Sequence, residues 1–214
     1  MPDTSSTVGA FLAAARYAGD VLASPVLAAA WTRDSALPRM TVGAVAGHLF
    51  LVIRRVDKHL DAPEEIATGA RAIANYGWLR VQTEEDLDRP DHQTVRADGD
   101  HVANWGWQAV AAAYAERVNK LDARLATGCP ETVVLASGVM DFQAYLATRV
   151  VDVLVHADDL AASVGLTPSD LPADAATVAI ELLVDAARSI HGDLEILRSL
   201  TRSERVSPRV PSVY

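Results

Sequence analysis

Two histidines and one aspartate have the residue types and the spacing of a metal site. Asp152 and His156 are four residues apart in a segment with helical periodicity, so both side chains can lie on one face of a helix. A carboxylate and an imidazole are suitable ligands for Zn²⁺ and other divalent first-row ions. A third ligand must come from elsewhere, and His48 is the best candidate because it lies among small and apolar residues. We therefore predict a metal site formed by His48, Asp152 and His156.

The segment around Asp152 has a polar stripe on an otherwise apolar helix. Its members recur at spacings of three and four residues: Tyr145, Arg149, Asp152, His156 and Asp159. Buried polar groups cost free energy unless they are paired or bound to a metal. An ion pair between Arg149 and Asp152 would explain part of the same pattern, and a D-x-x-x-H pair also occurs on helices that bind no metal. The residues alone therefore leave a metal site and a structural role both open.

The remaining candidates for chemistry are weaker. His59 lies on the same helix side as His48 but about 16 Å along the axis, at 1.5 Å per residue, so it cannot share that metal. His191 precedes Gly192 and is better explained as a cation at the end of a helix. Cys129 is a loop thiol with no evident activating partner. The chain has no H-E-x-x-H motif, phosphate-binding glycine loop or nucleophile elbow.

The elements that must position these residues are helices. Periodicity and capping residues predict helices over about Ser6–Leu22, Val42–Leu60, Val102–Leu125, Phe142–Val164 and Ala173–Ile190, with a short helical piece at Leu194–Leu200. Thr41 and Asp141 are the predicted N-caps of the second and fourth helices, and Gly165 ends the fourth. We expect loops at Pro25–Pro38 and Thr83–Asp100, a weaker helical segment at Ile66–Leu79 and a short extended piece at Thr132–Leu135. Long helices joined by loops predict an all-α bundle.

Composition and charge limit the class of protein. Half of the 214 residues are apolar, which is enough for a substantial core, and alanine favours close helix packing. The net charge of −9 makes nucleic acid and membrane partners unfavourable. A single cysteine fits a reducing compartment, and the N-terminus lacks the pattern of a secretory signal. We expect a cytoplasmic protein that is a monomer or homodimer.

Two segments resemble a known family. Residues 40–49 look like the second-helix motif of the mycothiol-dependent maleylpyruvate isomerase family, which belongs to the DinB-like metal-binding helix bundles. Residues 149–161 resemble its fourth-helix pattern, R-x-x-E-x-x-x-H-x-x-D-L, and Trp31 ahead of the second helix also matches. The resemblance implies a DinB-like four-helix bundle over residues 1–165 and a C-terminal helical extension over residues 166–214. It also implies that His48, Asp152 and His156 hold zinc, with Asp152 in place of the family's Glu.

The resemblance further implies an enzyme that uses a small thiol. A site with three protein ligands and an open position can bind a thiol such as mycothiol as thiolate, which is then a nucleophile at neutral pH. The expected activity is transfer to, or cis–trans isomerisation of, a small electrophilic substrate, with Tyr145 or Arg149 orienting the anionic substrate or the thiol. The alternatives are a hydrolase that uses metal-bound water and a non-catalytic bundle that binds a metal or a ligand. A ferrous oxygenase ranks last, because that ligand set usually occurs on β-barrels.

Overall fold

The computed structural model describes residues 4–61, 88–135, 138–167 and 169–202. Within these ranges the helices are α1 (Thr4–Leu22), α2 (Pro25–Ala30), α3 (Val42–His59), α4 (Pro90–Ala103), α5 (Trp107–Ala126), α6 (Phe142–Val164), α7 (Ala173–His191) and α8 (Asp193–Thr201). Strands β1 (Thr132–Leu135) and β2 (Gly138–Asp141) form an antiparallel pair between α5 and α6. The predicted all-α fold is confirmed, and β1 coincides with the predicted extended piece. The predicted helical segment at Ile66–Leu79 lies outside the described residues.

The two helices that carry the predicted site begin and end where the sequence predicts, within a residue. The Thr41 hydroxyl accepts a hydrogen bond from the Ala44 amide at the start of α3. The Asp141 carboxylate accepts one from the Ala144 amide at the start of α6. Each cap satisfies an amide that lacks a partner within its helix. At the end of α6, Gly165 takes the left-handed conformation at φ 67°, which glycine adopts without steric cost.

The core lies where α1 and α3 pack against α6. α1 contributes Phe11, Ala14, Ala18 and Leu22, all fully buried. α3 and α6 contribute mainly valine, leucine and alanine, and α6 is buried over most of its length. α7 packs against both α1 and α6, and α8 packs against α7. The proposed division at residue 165 into a bundle and a C-terminal extension remains a prediction.

Two predicted loops contain helices instead. Pro25 begins the short helix α2, because proline fits the first helical position, where no amide bond is lost. Pro90 begins α4 in the same way, within the predicted loop at Thr83–Asp100, whose first five residues lie outside the described part. Glycine is a poor helix former, but Gly99 lies inside α4. His101 is accordingly in the last turn of a helix and not beside a loop.

The close approach of α4 to α3 explains why glycine occurs within both helices. A Cβ added to Gly47 would overlap the carbonyl oxygen of Gly99, and one added to Gly99 would lie 2.5 Å from the carbonyl oxygen of Ala44. The two glycines therefore allow backbone-to-backbone contact. The predicted third helix is also wrong at its start, because Gly106 at φ 84° separates α4 from α5. No helix in the described ranges is both long and apolar enough to cross a bilayer.

Candidate functional site

Two ring contacts join α3 to α6 and define a polar seam between them. The His48 and His156 rings lie edge to face with centroids 4.8 Å apart. The His59 and Tyr145 rings meet in the same way at 5.2 Å. His59 follows His48 by eleven residues, and Tyr145 precedes His156 by eleven, so the helices run antiparallel. The contacts are therefore about 16 Å apart along the helix axes. We call this region the α3–α6 seam; its polar members are His48, Arg55, His59, Tyr145, Arg149, Asp152 and His156.

His48 lies at the first ring contact in the neutral state. Burial is the main reason that its pKa is well below the usual value, and electrostatic interactions with His156, Arg55 and Arg149 lower it further. Its Nδ1 atom is buried and has no hydrogen-bond partner among the described residues. A neutral imidazole with a lone pair is the form that binds a metal. An unpaired buried nitrogen costs roughly 1–3 kcal/mol, so this position favours an additional ligand.

His156 is oriented by a carboxylate on its own helix. Asp159 Oδ2 lies 3.0 Å from His156 Nδ1, and both side chains are largely buried. An ionised carboxylate can only accept a hydrogen bond, so Nδ1 donates, and in a neutral imidazole the lone pair would then be on Nε2. This is the arrangement in which metal-binding histidines are usually held, with one nitrogen fixed by a carboxylate and the other facing the ion. Asp159 is thus a positioning residue for His156.

Asp152 is buried and forms an ion pair with Arg149. Asp152 Oδ2 lies 2.5 Å from Arg149 Nη1, and both residues are at most 5% exposed. Arg149 Nε also donates to the Thr148 hydroxyl at 3.1 Å, and the guanidinium lies 5.2 Å from the centroid of the Tyr145 ring. The alternative interpretation of the sequence, an Arg149–Asp152 ion pair, is therefore present. A metal would have to share this carboxylate with Arg149.

Of the three predicted ligands, the imidazoles of His48 and His156 are better placed for a divalent metal than the carboxylate of Asp152, which is paired with Arg149. The structure brings His48 and His156 together and places Asp152 one turn before His156 on the same helix. Among the described residues, however, no group of three or more His, Cys, Asp or Glu side chains is arranged to hold a metal ion. The unpartnered His48 Nδ1 supports a ligand at this end of the seam. The assignment of His48, Asp152 and His156 as metal ligands remains a prediction.

Tyr145 provides a second unpaired polar atom. The residue is 3% exposed, and its hydroxyl has no hydrogen-bond partner within the described ranges. Burial raises the pKa of the phenol, so it is protonated at neutral pH and can donate a hydrogen bond. The charges that act on it are those of Arg149, Asp152 and Arg55. Two of these three charges are positive, so this part of the seam favours an anion.

Arg55 has no role in the site predicted from the sequence, and His59 is excluded there only as a ligand of the same metal as His48. Both follow His48 on one face of α3, seven and eleven residues later, and this spacing was the available signal. Burial lowers the pKa of His59, as do the charges of Lys58, Arg149 and Arg55. His59 is far from His156 along the axis, as expected, but it belongs to the same seam through Tyr145. Whether an α3 residue faces α6 depends on the packing, which the spacing alone does not show.

A second buried carboxylate on α3 has a structural role. Asp57 is 4% exposed and forms ion pairs with Arg117, Lys120 and Arg124 of α5, and Arg124 also binds Asp61. Burial alone would raise the pKa of Asp57, but hydrogen bonds from the three cations outweigh it, and the net pKa is lowered. This cluster ties the end of α3 to α5 and so fixes the helix that carries His48, Arg55 and His59.

A cavity of about 940 Å³ lies outside the seam. The start of α1, the end of α5 and the strand pair enclose it, and Cys129 is among its lining residues. Burial raises the pKa of the Cys129 thiol, so it is not a thiolate at neutral pH. No residue of the α3–α6 seam lines this cavity. This agrees with the prediction that Cys129 lacks an activating partner.

The sequence matches the model of a known protein family. Residues 12–161 match the family model described as the mycothiol maleylpyruvate isomerase N-terminal domain, and this range contains the whole α3–α6 seam. The chain is also similar to the crystal structure of a histidine-to-alanine mutant of the mycothiol-dependent maleylpyruvate isomerase, at 16% identity and a TM-score of 0.48. That similarity covers 84% of this chain and 69% of the other. Comparison with curated protein sequences gives no match.

Proposed function

This chain belongs to the family of the mycothiol maleylpyruvate isomerase N-terminal domain, and on that premise we propose that it is an isomerase or transferase that uses mycothiol and a divalent metal. The proposed substrate is a small electrophile, and the proposed metal ligands are His48, Asp152 and His156. Zinc is the proposed metal because two imidazoles and a carboxylate suit it. When bound, the metal would lower the pKa of a coordinated thiol and keep it nucleophilic at neutral pH.

One observation supports this proposal above all others. His48 is a buried, neutral imidazole whose Nδ1 has no partner in the described ranges, and it contacts a second imidazole that a carboxylate orients. A histidine with only a packing role would usually have its ring nitrogens paired. These features support a ligand site at His48 and His156, and the family match supports thiol-dependent chemistry there.

In the isomerase form of this activity, the residues of the seam bind and orient the substrate, and the thiol forms and then breaks a carbon–sulfur bond to it. The sulfur adds to one carbon of a conjugated double bond, the resulting single bond rotates, and the same sulfur leaves, so the thiol is regenerated. Arg149 neutralises Asp152 and lies over the Tyr145 ring, which keeps the middle of the seam rigid. In the transferase form the sulfur stays attached to the electrophile.

The test is thiol-dependent turnover of maleylpyruvate, followed by absorbance with and without mycothiol. We expect isomerisation only with the thiol, and a loss of about 100-fold or more in His48→Ala, because removing a metal ligand removes the activated nucleophile. His101→Ala is the matched control, since His101 is an exposed histidine of α4. Elemental analysis of protein purified without chelator should show a metal in the parent protein and in the control but not in His48→Ala.

Several outcomes would contradict the proposal. Equal metal content in the parent and in His48→Ala would remove the metal site. Hydrolysis of an ester substrate without any thiol would favour the hydrolase, in which metal-bound water is the nucleophile. Bound metal with no turnover of either kind would favour the non-catalytic bundle.

A further inference from the structure

The middle of the α3–α6 seam contains polar groups that the proposed metal and thiol chemistry does not use. The Tyr145 hydroxyl is buried and has no partner within the described residues. Arg55 is half-buried and forms no ion pair with any residue that the structure describes. A buried donor and a cation without a counter-charge are both unfavourable, and one bound anion would satisfy both.

Arg55 lies between the two ring contacts along α3. It follows His48 by seven residues and precedes His59 by four, and these spacings place all three residues on one face of the helix. The charge of Arg55 acts on His48 at one contact and on His59 and Tyr145 at the other. Arg149 is already paired with Asp152, so its charge is largely neutralised, whereas no carboxylate within the described ranges pairs with Arg55.

We propose that the Tyr145 hydroxyl and the Arg55 guanidinium together bind a carboxylate group of the substrate. A carboxylate can accept from a guanidinium and a phenol at once, and charge-assisted hydrogen bonds of this kind are the strong ones. His59 closes the far side of the subsite by its edge contact with the Tyr145 ring. The electrophilic carbon of the same substrate would then lie toward His48 and His156. This inference deepens the proposed function and rests on it for the chemistry at the imidazole pair.

The first experiment measures binding of maleate and of its uncharged diamide by titration calorimetry, without thiol. Maleate should bind both before and after chelation of metal, and the diamide should bind at least ten-fold more weakly. Tyr145→Phe and Arg55→Gln should each weaken maleate binding about ten-fold or more, the usual effect of losing a hydrogen bond to a charged group. Arg55→Lys should bind maleate more tightly than Arg55→Gln but more weakly than the parent, because lysine keeps the positive charge but lacks the two parallel N–H donors of a guanidinium.

Matched controls are available for both positions. Tyr114 is a fully buried tyrosine of the described core, but its hydroxyl donates to the Ala15 carbonyl oxygen at 3.1 Å. Arg54 is adjacent to Arg55 and exposed. Tyr114→Phe and Arg54→Gln should leave maleate binding unchanged.

Stability distinguishes a ligand-binding tyrosine from a structural one. Tyr145→Phe removes an unsatisfied hydroxyl, so the melting temperature of the free protein should be equal to or above that of the parent. Tyr114→Phe removes a satisfied hydrogen bond and should lower it. A Tyr145→Phe protein that melts lower and binds maleate normally would overturn the inference.

The same measurements separate this inference from the proposed function. Binding of maleate to chelated protein does not require metal or thiol, so it can succeed where thiol-dependent turnover fails. If maleate binding disappears on chelation, the substrate carboxylate is bound by the metal, and the proposed subsite at Tyr145 and Arg55 is wrong. If turnover requires the thiol but maleate and its diamide bind equally well, the proposed function stands and the proposed carboxylate subsite is wrong.

Discussion

The rings of His48 and His156 lie edge to face, with their centroids 4.8 Å apart, across the contact between α3 and α6. Two imidazoles from distant parts of the chain meet inside the bundle, and that of His48 is neutral because burial lowers its pKa. His48 Nδ1 has no hydrogen-bond partner in the described ranges, and Asp159 Oδ2 lies 3.0 Å from His156 Nδ1.

Asp159→Asn should weaken metal binding about 10- to 100-fold, the usual effect of losing the carboxylate that orients a metal-binding histidine. An amide can present its NH₂ to the ring, so both the orientation and the tautomer of His156 would change. Competition with a chromophoric chelator would measure the metal affinity. Asp158→Asn is the control, because Asp158 is adjacent and exposed. The same loss in both variants would rule out a specific role for Asp159.

Asp152→Glu should bind metal more tightly than the parent, because the longer arm brings the carboxylate closer to a shared ion while it still neutralises Arg149. Asp152→Asn should lose metal and also about 3 kcal/mol of unfolding free energy, because it removes a buried carboxylate that pairs with the Arg149 guanidinium. Urea unfolding with and without chelator separates the two effects. An Asp152→Asn protein as stable as the parent would show that the pair is dispensable.

Gly47→Ala should destabilise the protein by at least about 1–3 kcal/mol, although alanine is the better helix former. The added methyl group would overlap the Gly99 carbonyl oxygen and push α4 away from α3. Gly9→Ala is the opposite case, since a Cβ at Gly9 of α1 meets nothing within 4 Å. That variant should be more stable by up to about 1 kcal/mol. Thermal unfolding of the two variants measures the contrast, and similar shifts would be inconsistent with close α3–α4 contact.

The Asp57 cluster should make stability depend on pH in acid. Hydrogen bonds from Arg117, Lys120 and Arg124 outweigh burial, so the pKa of Asp57 is below 3.8 in the folded state. Its contribution is therefore complete above the unfolded pKa and is lost as pH falls through the lower folded value.

Asp57→Asn should cost about 2 kcal/mol at pH 6, because hydrogen bonds to a charged group are lost. The difference from the parent should shrink when unfolding is measured below about pH 4. A difference that stays constant down to pH 2 would mean that Asp57 does not titrate in this way. Asp122→Asn, at an exposed pair with Arg16, is the control and should have little effect at any pH.

The sequence by itself determined the helices that carry the site and most of their ends. Thr41, Asp141 and Gly165 act locally, through bonds to amides three residues away or through a left-handed backbone, and local signals are visible in a sequence. The spacing of Asp152 and His156 also placed them on one helix face. Glycine was misleading in α4, because Gly99 serves a contact with another helix and does not end its own.

Only the tertiary structure decided which residues of α3 meet α6. The antiparallel packing places His59 against Tyr145 and His48 against His156, and it brings Arg55 into the same seam. It also showed that Asp152 is shared with Arg149, which the sequence had left as an alternative. Helical spacing gives the face on which a side chain lies, but the partner across that face depends on how two distant helices pack.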